Sequence, residues 1–183
     1  MPARPSRAAT TAAPRWLSNS EQRAWRAFVM ASQLLFDQLD RELQRESGMS
    51  HAYYGILVAL SEAPEQMLRM SDLARLLRYS KTRLSEAIAR LETRGWVMRQ
   101  PCPSDRRVTY AMLTTDGFEA LAAAAPGHVA GVRRHVFDRL TPKQVEAVRE
   151  ISEVIAQPLL EAAGFDLAAC QNDPQTELMH STE

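Results

Sequence analysis

An all-α fold with a small β-wing, a winged helix-turn-helix flanked by N- and C-terminal dimerisation helices, is what three features of this 183-residue chain predict. The first is Ser71 to Gly95, SDLARLLRYSKTRLSEAIARLETRG, two short amphipathic segments around a tight break at Arg78 to Ser80. The second is WVMRQPCPSDRRVTYAMLTTDG directly after it: an extended segment, a Pro- and Arg-rich tip, a second extended segment and a new helix start. Two helices joined by a turn of a few residues, with a β-ribbon behind the second, make a winged helix-turn-helix. The third is a long apolar stripe at helical spacing on either side of that stretch.

The start, MPARPSRAATTAAPR, is Arg-rich and acid-poor, as organellar transit peptides are, but it has no apolar run of a secretory signal. Residues 1–16 are expected to be a disordered basic arm. Ser18-Asn19-Ser20-Glu21 has the form of a capping box and should open a helix. Trp25, Phe28, Ser32, Leu35, Leu39 and Leu43 recur at helical spacing until Gly48, which gives an N-terminal dimerisation helix over 17–48. So apolar a helix should bury its stripe against the C-terminal helices and a second chain.

The DNA-binding lobe is expected over 49–118. Ser50 restarts a helix through His51, Tyr53, Tyr54, Leu57 and Leu60, closed by Ala63-Pro64. Met67 to Met70 suits a small strand. Ser71 should cap the first motif helix, with Leu73, Leu76 and Leu77 inward and Arg75 and Arg78 outward. Ser80 should cap the second, where Leu84, Ala87, Ile88 and Leu91 form the core stripe. Its opposite face carries Lys81, Thr82, Arg83, Ser85, Glu86 and Arg90, long or hydroxylated side chains able to reach phosphates and base edges. The wing runs from Val97 to Gln100 and from Arg107 to Leu113, with Val108, Tyr110 and Met112 alternating against Thr109 and Ala111. Pro101 and Pro103 cannot donate to a ladder, so pairing should fail there and leave a protruding tip. Asp105 reads as a structural acid that accepts from Arg90, Arg94 or Arg107, since a DNA-facing acid would repel phosphate.

Thr114 or Thr115 should cap the next helix, and Pro126-Gly127 should kink or interrupt it before Val129, Val132, Val136 and Phe137 resume its stripe. Thr141-Pro142 is a cap followed by Pro at the first helical position. Val145, Val148, Ile151, Ile155 and Leu159 then form an apolar seam, so that 119–165 are read as C-terminal dimerisation helices. Periodicity is lost after Gly164, and 166–183 are expected to be a disordered tail.

A hydrophobic content of 45% with 24% charged residues is that of a soluble globular protein. No run of about 18 apolar residues is present to span a bilayer. Two cysteines without metal or disulfide spacing fit a reducing cytoplasm, the expected location, and Cys102 reads as an ordinary solvent-near thiol. The net charge of zero hides an asymmetry: residues 68–110 hold ten Lys or Arg against four acids, 10 − 4 = +6, while 141–183 hold two against eight, 2 − 8 = −6. A basic segment that coincides with the helix-turn-helix is the footprint of a nucleic-acid contact face. The expected DNA contacts are Ser80, Lys81, Thr82, Arg83, Ser85, Glu86, Arg90, Arg106 and Arg107. Catalysis is the weakest reading: His51, His128, His135 and His180 are scattered, and no glycine-rich phosphate loop or H-E-x-x-H occurs. No cofactor or metal is expected.

In LARLLRYSKTRLSEAIARLETRGWV, then DRR, then LTTDG, the chain resembles the multiple antibiotic resistance regulator (MarR) family of bacterial transcription factors. The resemblance is carried by Leu91-Glu92-x-x-Gly95-x-Val97, Asp105-x-Arg107 and Leu113-Thr114-x-x-Gly117 in register, and in overall pattern it covers residues 17 to 160. It implies a homodimer with interleaved terminal helices that binds double-stranded DNA at a pseudo-palindromic operator. Each recognition helix would enter the major groove and each wing, through Arg107, the minor groove. It also implies a repressor released by a small aromatic ligand, bound in a cleft that would draw on Trp25, Phe28, Tyr53, Tyr54 and Leu57. Glu86 departs from the family, many of whose members carry a basic residue there. It can accept from cytosine N4 or, the favoured reading, pair with Arg90 at i+4. The rival function is a winged-helix protein-docking scaffold without sequence-specific DNA binding, against which the +6 segment argues.

Overall fold

The computed structural model describes residues 14–102, 105 and 107–162. They fall into two compact units that divide between Leu35 and Phe36. Six α-helices and three strands follow in the order α1 (Asn19–Ser47), α2 (His51–Ser61), β1 (Met67–Arg69), α3 (Met70–Leu76), α4 (Lys81–Thr93), β2 (Val97–Pro101), β3 (Thr109–Leu113), α5 (Thr115–His135) and α6 (Pro142–Ala162). The arm before residue 14, the tail after 162 and the tip residues Pro103, Ser104 and Arg106 lie outside the described residues.

Local capping starts most of these helices. Ahead of α1 the Glu21 N–H donates to Ser18 Oγ at 3.3 Å and the Ser18 N–H to Glu21 Oε2 at 2.7 Å, a reciprocal capping box. Ser50 Oγ accepts from the Tyr53 N–H, Ser80 Oγ from Arg83 and Thr114 Oγ1 from Gly117. Thr141 and Gln144 repeat the reciprocal pattern before α6. Gly48, at φ +63°, ends α1 in the left-handed conformation that glycine adopts without a Cβ penalty. In the first unit Trp25 and Phe28, one helical turn apart on α1, lie with ring centroids 6.3 Å apart and stay exposed.

The core of the second unit joins α2, α3, α4, the sheet and α5. Ile56, Leu57, Leu60, Leu73, Leu84, Ile88 and Leu91 are its fully buried centre. The sheet is antiparallel in the order β1-β3-β2, with Met67 opposite Met112 and Val97 opposite Leu113. Gly117 sits against the Trp96 carbonyl, where an added Cβ would fall 2.0 Å from that oxygen.

Four expectations are corrected. Ser71 does not cap α3; the helix begins at Met70 with Arg69 as cap and no side-chain hydrogen bond there. Leu76 does not pack inward but is 39% exposed, because α3 ends at that residue and the chain turns away through Arg78 at φ +57°. Pairing does not fail at Pro101, which lies opposite Thr109. The Cys102 N–H donates to the Val108 carbonyl, so ladder bonds fall at Cys102 and the missing N–H of Pro101 points out of an edge strand, where it costs nothing. Of the kink or interruption expected at Pro126, the interruption does not occur, since α5 runs unbroken over 21 residues. Gly127 and Gly131 let α5 approach Glu46 and Glu42 of α1, and this packing outweighs the one backbone bond that Pro126 removes.

Candidate nucleic-acid interface

α4 divides cleanly by face. Leu84, Ile88 and Leu91 are buried, while Lys81, Thr82, Arg83, Ser85, Glu86 and Arg90 are all exposed. Ser80, itself exposed, frees the helix start for outside acceptors, because its hydroxyl takes only the Arg83 N–H. The Arg83 guanidinium lies 4.1 Å from the ring centre of Tyr79. Stacking of this kind restrains the side chain without consuming its donors. Glu86 and Arg90 do not form the expected ion pair; neither has an ionic partner among the described residues. Both face solvent, where an i+4 pair gains only a few tenths of a kcal/mol against side-chain entropy.

The wing base is organised by Asp105. Its Oδ1 accepts from the backbone N–H of Arg107 at 3.0 Å and from Arg107 Nε at 3.2 Å, so Arg107, not Arg90 or Arg94, is its partner. These bonds hold the Asp105 carboxyl below the usual carboxylate range, the backbone bond contributing most. The Val108 N–H closes the turn on the Asp105 carbonyl at 2.9 Å. The Arg107 side chain nevertheless remains 92% exposed. Arg106, expected beside it, is outside the described residues.

Two arginines outside the expected contact set prove central to this surface. Arg99, on β2, donates through its backbone N–H and guanidinium to the two oxygens of Glu92, and through Nη2 to the Ser85 carbonyl at 2.8 Å and Ser85 Oγ at 3.3 Å. It therefore ties the wing to the middle of α4. Arg69, on β1, donates from Nε to the Tyr110 hydroxyl at 3.3 Å. Arg69, Ser71, Ser85, Arg99, Arg107 and Thr109 line one open depression of about 340 Å³ between the sheet, α4 and the wing base. The fold thus brings Ser85 and Arg107 together. The basic composition of the segment hinted at Arg69 and Arg99, but no local spacing separated them from solvated arginines.

A third guanidinium braces α4 from its far end. Arg94, the C-cap of α4, donates to the Gly48 carbonyl at 2.9 Å and lies over the rings of Trp96 at 4.8 Å and Tyr53 at 5.8 Å. Of the residues expected to meet a ligand, Leu57 is fully buried in the core. Tyr53 and Tyr54 are half-buried on α2, and Tyr54 packs on His128 of α5 at 4.4 Å between ring centres. His51 adjoins them, 5.5 Å from His128 and 5.6 Å from Phe36. Burial pushes both histidines down and the Tyr54 hydroxyl up from their ordinary values. Trp25 and Phe28 belong to the first unit.

Among the described residues no group of His, Cys, Asp and Glu is arranged to hold a metal ion, and no helix is long and apolar enough to cross a membrane. The sequence model of the MarR family matches residues 47–108. The chain is similar to Sco3205, a MarR family transcriptional regulator from Streptomyces coelicolor solved in complex with DNA. Identity is 52%, the likeness covers 80% of this chain and 92% of that one, and the TM-score is 0.77. AbsC, a MarR family transcriptional regulator from the same organism, is 43% identical over 80% of this chain and 98% of its own, with a TM-score of 0.75. Transcriptional regulator HosA of Escherichia coli O111:H- is 29% identical over 124 residues, 62% of this chain and 90% of that protein.

Proposed function

The chain belongs to the MarR family of transcriptional regulators, and on that premise we propose that it is a dimeric DNA-binding repressor released by a small aromatic ligand. Each protomer lays α4 in the major groove and its wing in the minor groove of a pseudo-palindromic operator. The observation that carries this is the exposed face of α4, Lys81 to Arg90, with the wing arginine 107 beside it in a segment of net charge 10 − 4 = +6. That a relative 52% identical was solved in complex with DNA supports DNA as the partner. Near the start of α4, Arg83 and Ser85 meet base edges; Ser80, Lys81, Thr82 and Arg90 meet the backbone; Glu86, unpaired, is free to accept from cytosine N4. Arg107 and Arg106 serve the minor groove.

Dimerisation is supported by α6, whose seam Val148, Ile151, Ile155 and Leu159 is exposed, with nothing over it among the described residues. Ligand release is supported by the partly desolvated rings of Tyr54, His51 and His128, with Tyr53 alongside. Trp25 and Phe28 carry the same expectation on the first unit. No catalytic activity is assigned, and the protein works in the cytoplasm.

The test is a mobility-shift titration with the duplex that the full-length protein enriches from a random-sequence library. The expected result is saturable binding that weakens steeply with salt and favours the enriched duplex over a scrambled one by about 10³-fold or more. Equal, weak binding to both duplexes would favour the protein-docking reading instead.

A further inference from the structure

We propose that the depression between β1, α4 and the wing base is a seat for one backbone phosphate of the bound DNA, with Arg69 as the charge that holds it. This rests on the DNA-binding reading above and adds to it a binding site built around a residue far from either groove-reading element in sequence.

The argument is one of charge and place. Three arginines line the depression, Arg69, Arg99 and Arg107, and among the described residues no acidic one does. Two of the three are answered from outside it: Glu92 pairs with Arg99 and Asp105 with Arg107. Among the described residues Arg69 has no ion pair: its hydrogen-bond partner is the neutral Tyr110 hydroxyl, over whose ring it also lies at 5.9 Å, and Asp72 and Asp105 act on it through space alone. The carboxylate nearest to it in sequence, Asp72, is hydrogen-bonded to Arg75 at 3.2 Å. One positive charge is therefore left over at the cavity, the complement of a phosphodiester. Ser71 and Thr109, which also line it, carry hydroxyls able to serve as further donors. Tyr110 holds the Arg69 stem by Nε, which leaves the two terminal nitrogens of the fork for an anion.

The position fits the same ligand. With α4 in the major groove and the wing in the adjacent minor groove, the strand that separates the grooves must pass between α4 and the wing base. The depression of about 340 Å³ is open there and has room for a phosphate with its flanking sugars. Because a phosphate carries no base identity, Arg69 should set register and affinity without altering sequence preference.

The experiment uses the full-length protein, the enriched duplex and three variants, R69M, R69K and Y110F. R69M is expected to lower the slope of log affinity against log salt by about 0.9 per subunit, with an unchanged ratio between the enriched duplex and point-substituted duplexes. R69K should keep the slope, and Y110F should bind more weakly with the slope retained. Neutral methylphosphonate linkages, scanned singly along the duplex, should reveal one position per half-site at which wild type and R69M become equal. If R69M leaves the slope unchanged while the wild type still prefers its enriched duplex, the seat is wrong and the DNA-binding reading stands. An R69M defect that persists at every neutral linkage would make Arg69 a purely structural partner of Tyr110. Inorganic phosphate should displace DNA no better than chloride at equal ionic strength. Specific displacement by phosphate, lost in R69M, would make the cavity a receptor for a free anion and overturn its assignment to DNA. Wild type that enriches no duplex would end both readings.

Discussion

Along α4 the apolar stripe Leu84, Ile88 and Leu91 is at most 1% exposed, whereas along α6 the stripe Val148, Ile151, Ile155 and Leu159 is 44 to 64% exposed. The two helices have similar amphipathic spacing and differ in what lies opposite. α4 packs its stripe within the core that α2, α3, the sheet and α5 share. α6 has no buried residue at all, and its charged side chains serve one another, Arg149 pairing with Glu146 and Glu153. Exposed pairs of this kind contribute little, with a median near 0–1 kcal/mol. The lobe therefore carries its own folding energy, whereas the stripe of α6 stays exposed among the described residues, the surface that the proposed dimer would cover. A lobe held together from within would keep its geometry even if the proposed dimer helices shifted against one another.

The sharpest way to break this contrast is at Gly117. An added Cβ would fall 2.0 Å from the Trp96 carbonyl oxygen, and the helix start cannot retreat because the Thr114 N–H donates to that same oxygen at 3.1 Å and Thr114 Oγ1 to the Gly95 carbonyl at 2.6 Å. Gly117→Ala should cost on the order of 3 kcal/mol or more. Denaturant unfolding checks it, and an unchanged midpoint would mean that the β3–α5 corner is looser than described. Ile151→Asp with Ile155→Asp should act on assembly instead. Light scattering should then give monomers at micromolar concentration, with the lobe still unfolding cooperatively. If that pair destabilised the lobe as much as Gly117→Ala does, α6 would belong to the lobe's core and the contrast would fail.

Within the lobe, Arg83 and Arg107 should fail differently. Arg83→Ala is expected to cost about 1–3 kcal/mol at the enriched duplex and to relax preference at particular base pairs. Arg107→Ala should weaken all sequences alike and lower the salt slope by about one unit per subunit. Affinities for point-substituted duplexes across a salt series separate the two.

The smallest effect is a pH dependence from the contact between α2 and α5. Burial lowers the pKa of His51 and of His128, the charge of the His51 ring lowers that of His128 further, and Asp40 of α1 pulls His51 partly back. Both histidines are thus held neutral in the fold, and the Nδ1 of His128 is buried with no hydrogen-bond partner. A pKa depressed in the folded state contributes stability that is present above the ordinary value of 6.5 and lost as pH falls through the folded value. The melting temperature should decline as pH drops below that value, and His128→Phe should flatten the decline. Glu42 acts in a separate window: hydrogen bonds from Gln38 and His135 hold it below 4.5, so its contribution fades only in stronger acid. A melting curve flat down to that lower window would show the two rings to be better solvated than their packing implies.

What was legible in the sequence was what depends on near neighbours. Ser18, Ser50, Ser80, Thr114 and Thr141 cap helices through bonds three residues away, and β1 and the wing follow from alternation and turn chemistry. The exposed face of α4 was legible for the same reason, since its spacing alone sets which side chains look outward. Arg99 on Ser85, Arg69 on Tyr110 and Arg94 on Gly48 were not, because those partners are 14, 41 and 46 residues apart and only the packed fold makes them neighbours. Pro126 misled for a related reason: a local cost was offset by the glycine-lined approach of α5 to α1.

The most direct test is a hydroxyl-radical footprint of the full-length protein on its enriched duplex. A dimer that places two copies of α4 in successive major grooves predicts two protected half-sites related by a pseudo-dyad, with centres about 10–10.5 base pairs apart. A single asymmetric protected stretch, or none at concentrations where the protein is folded, would contradict it.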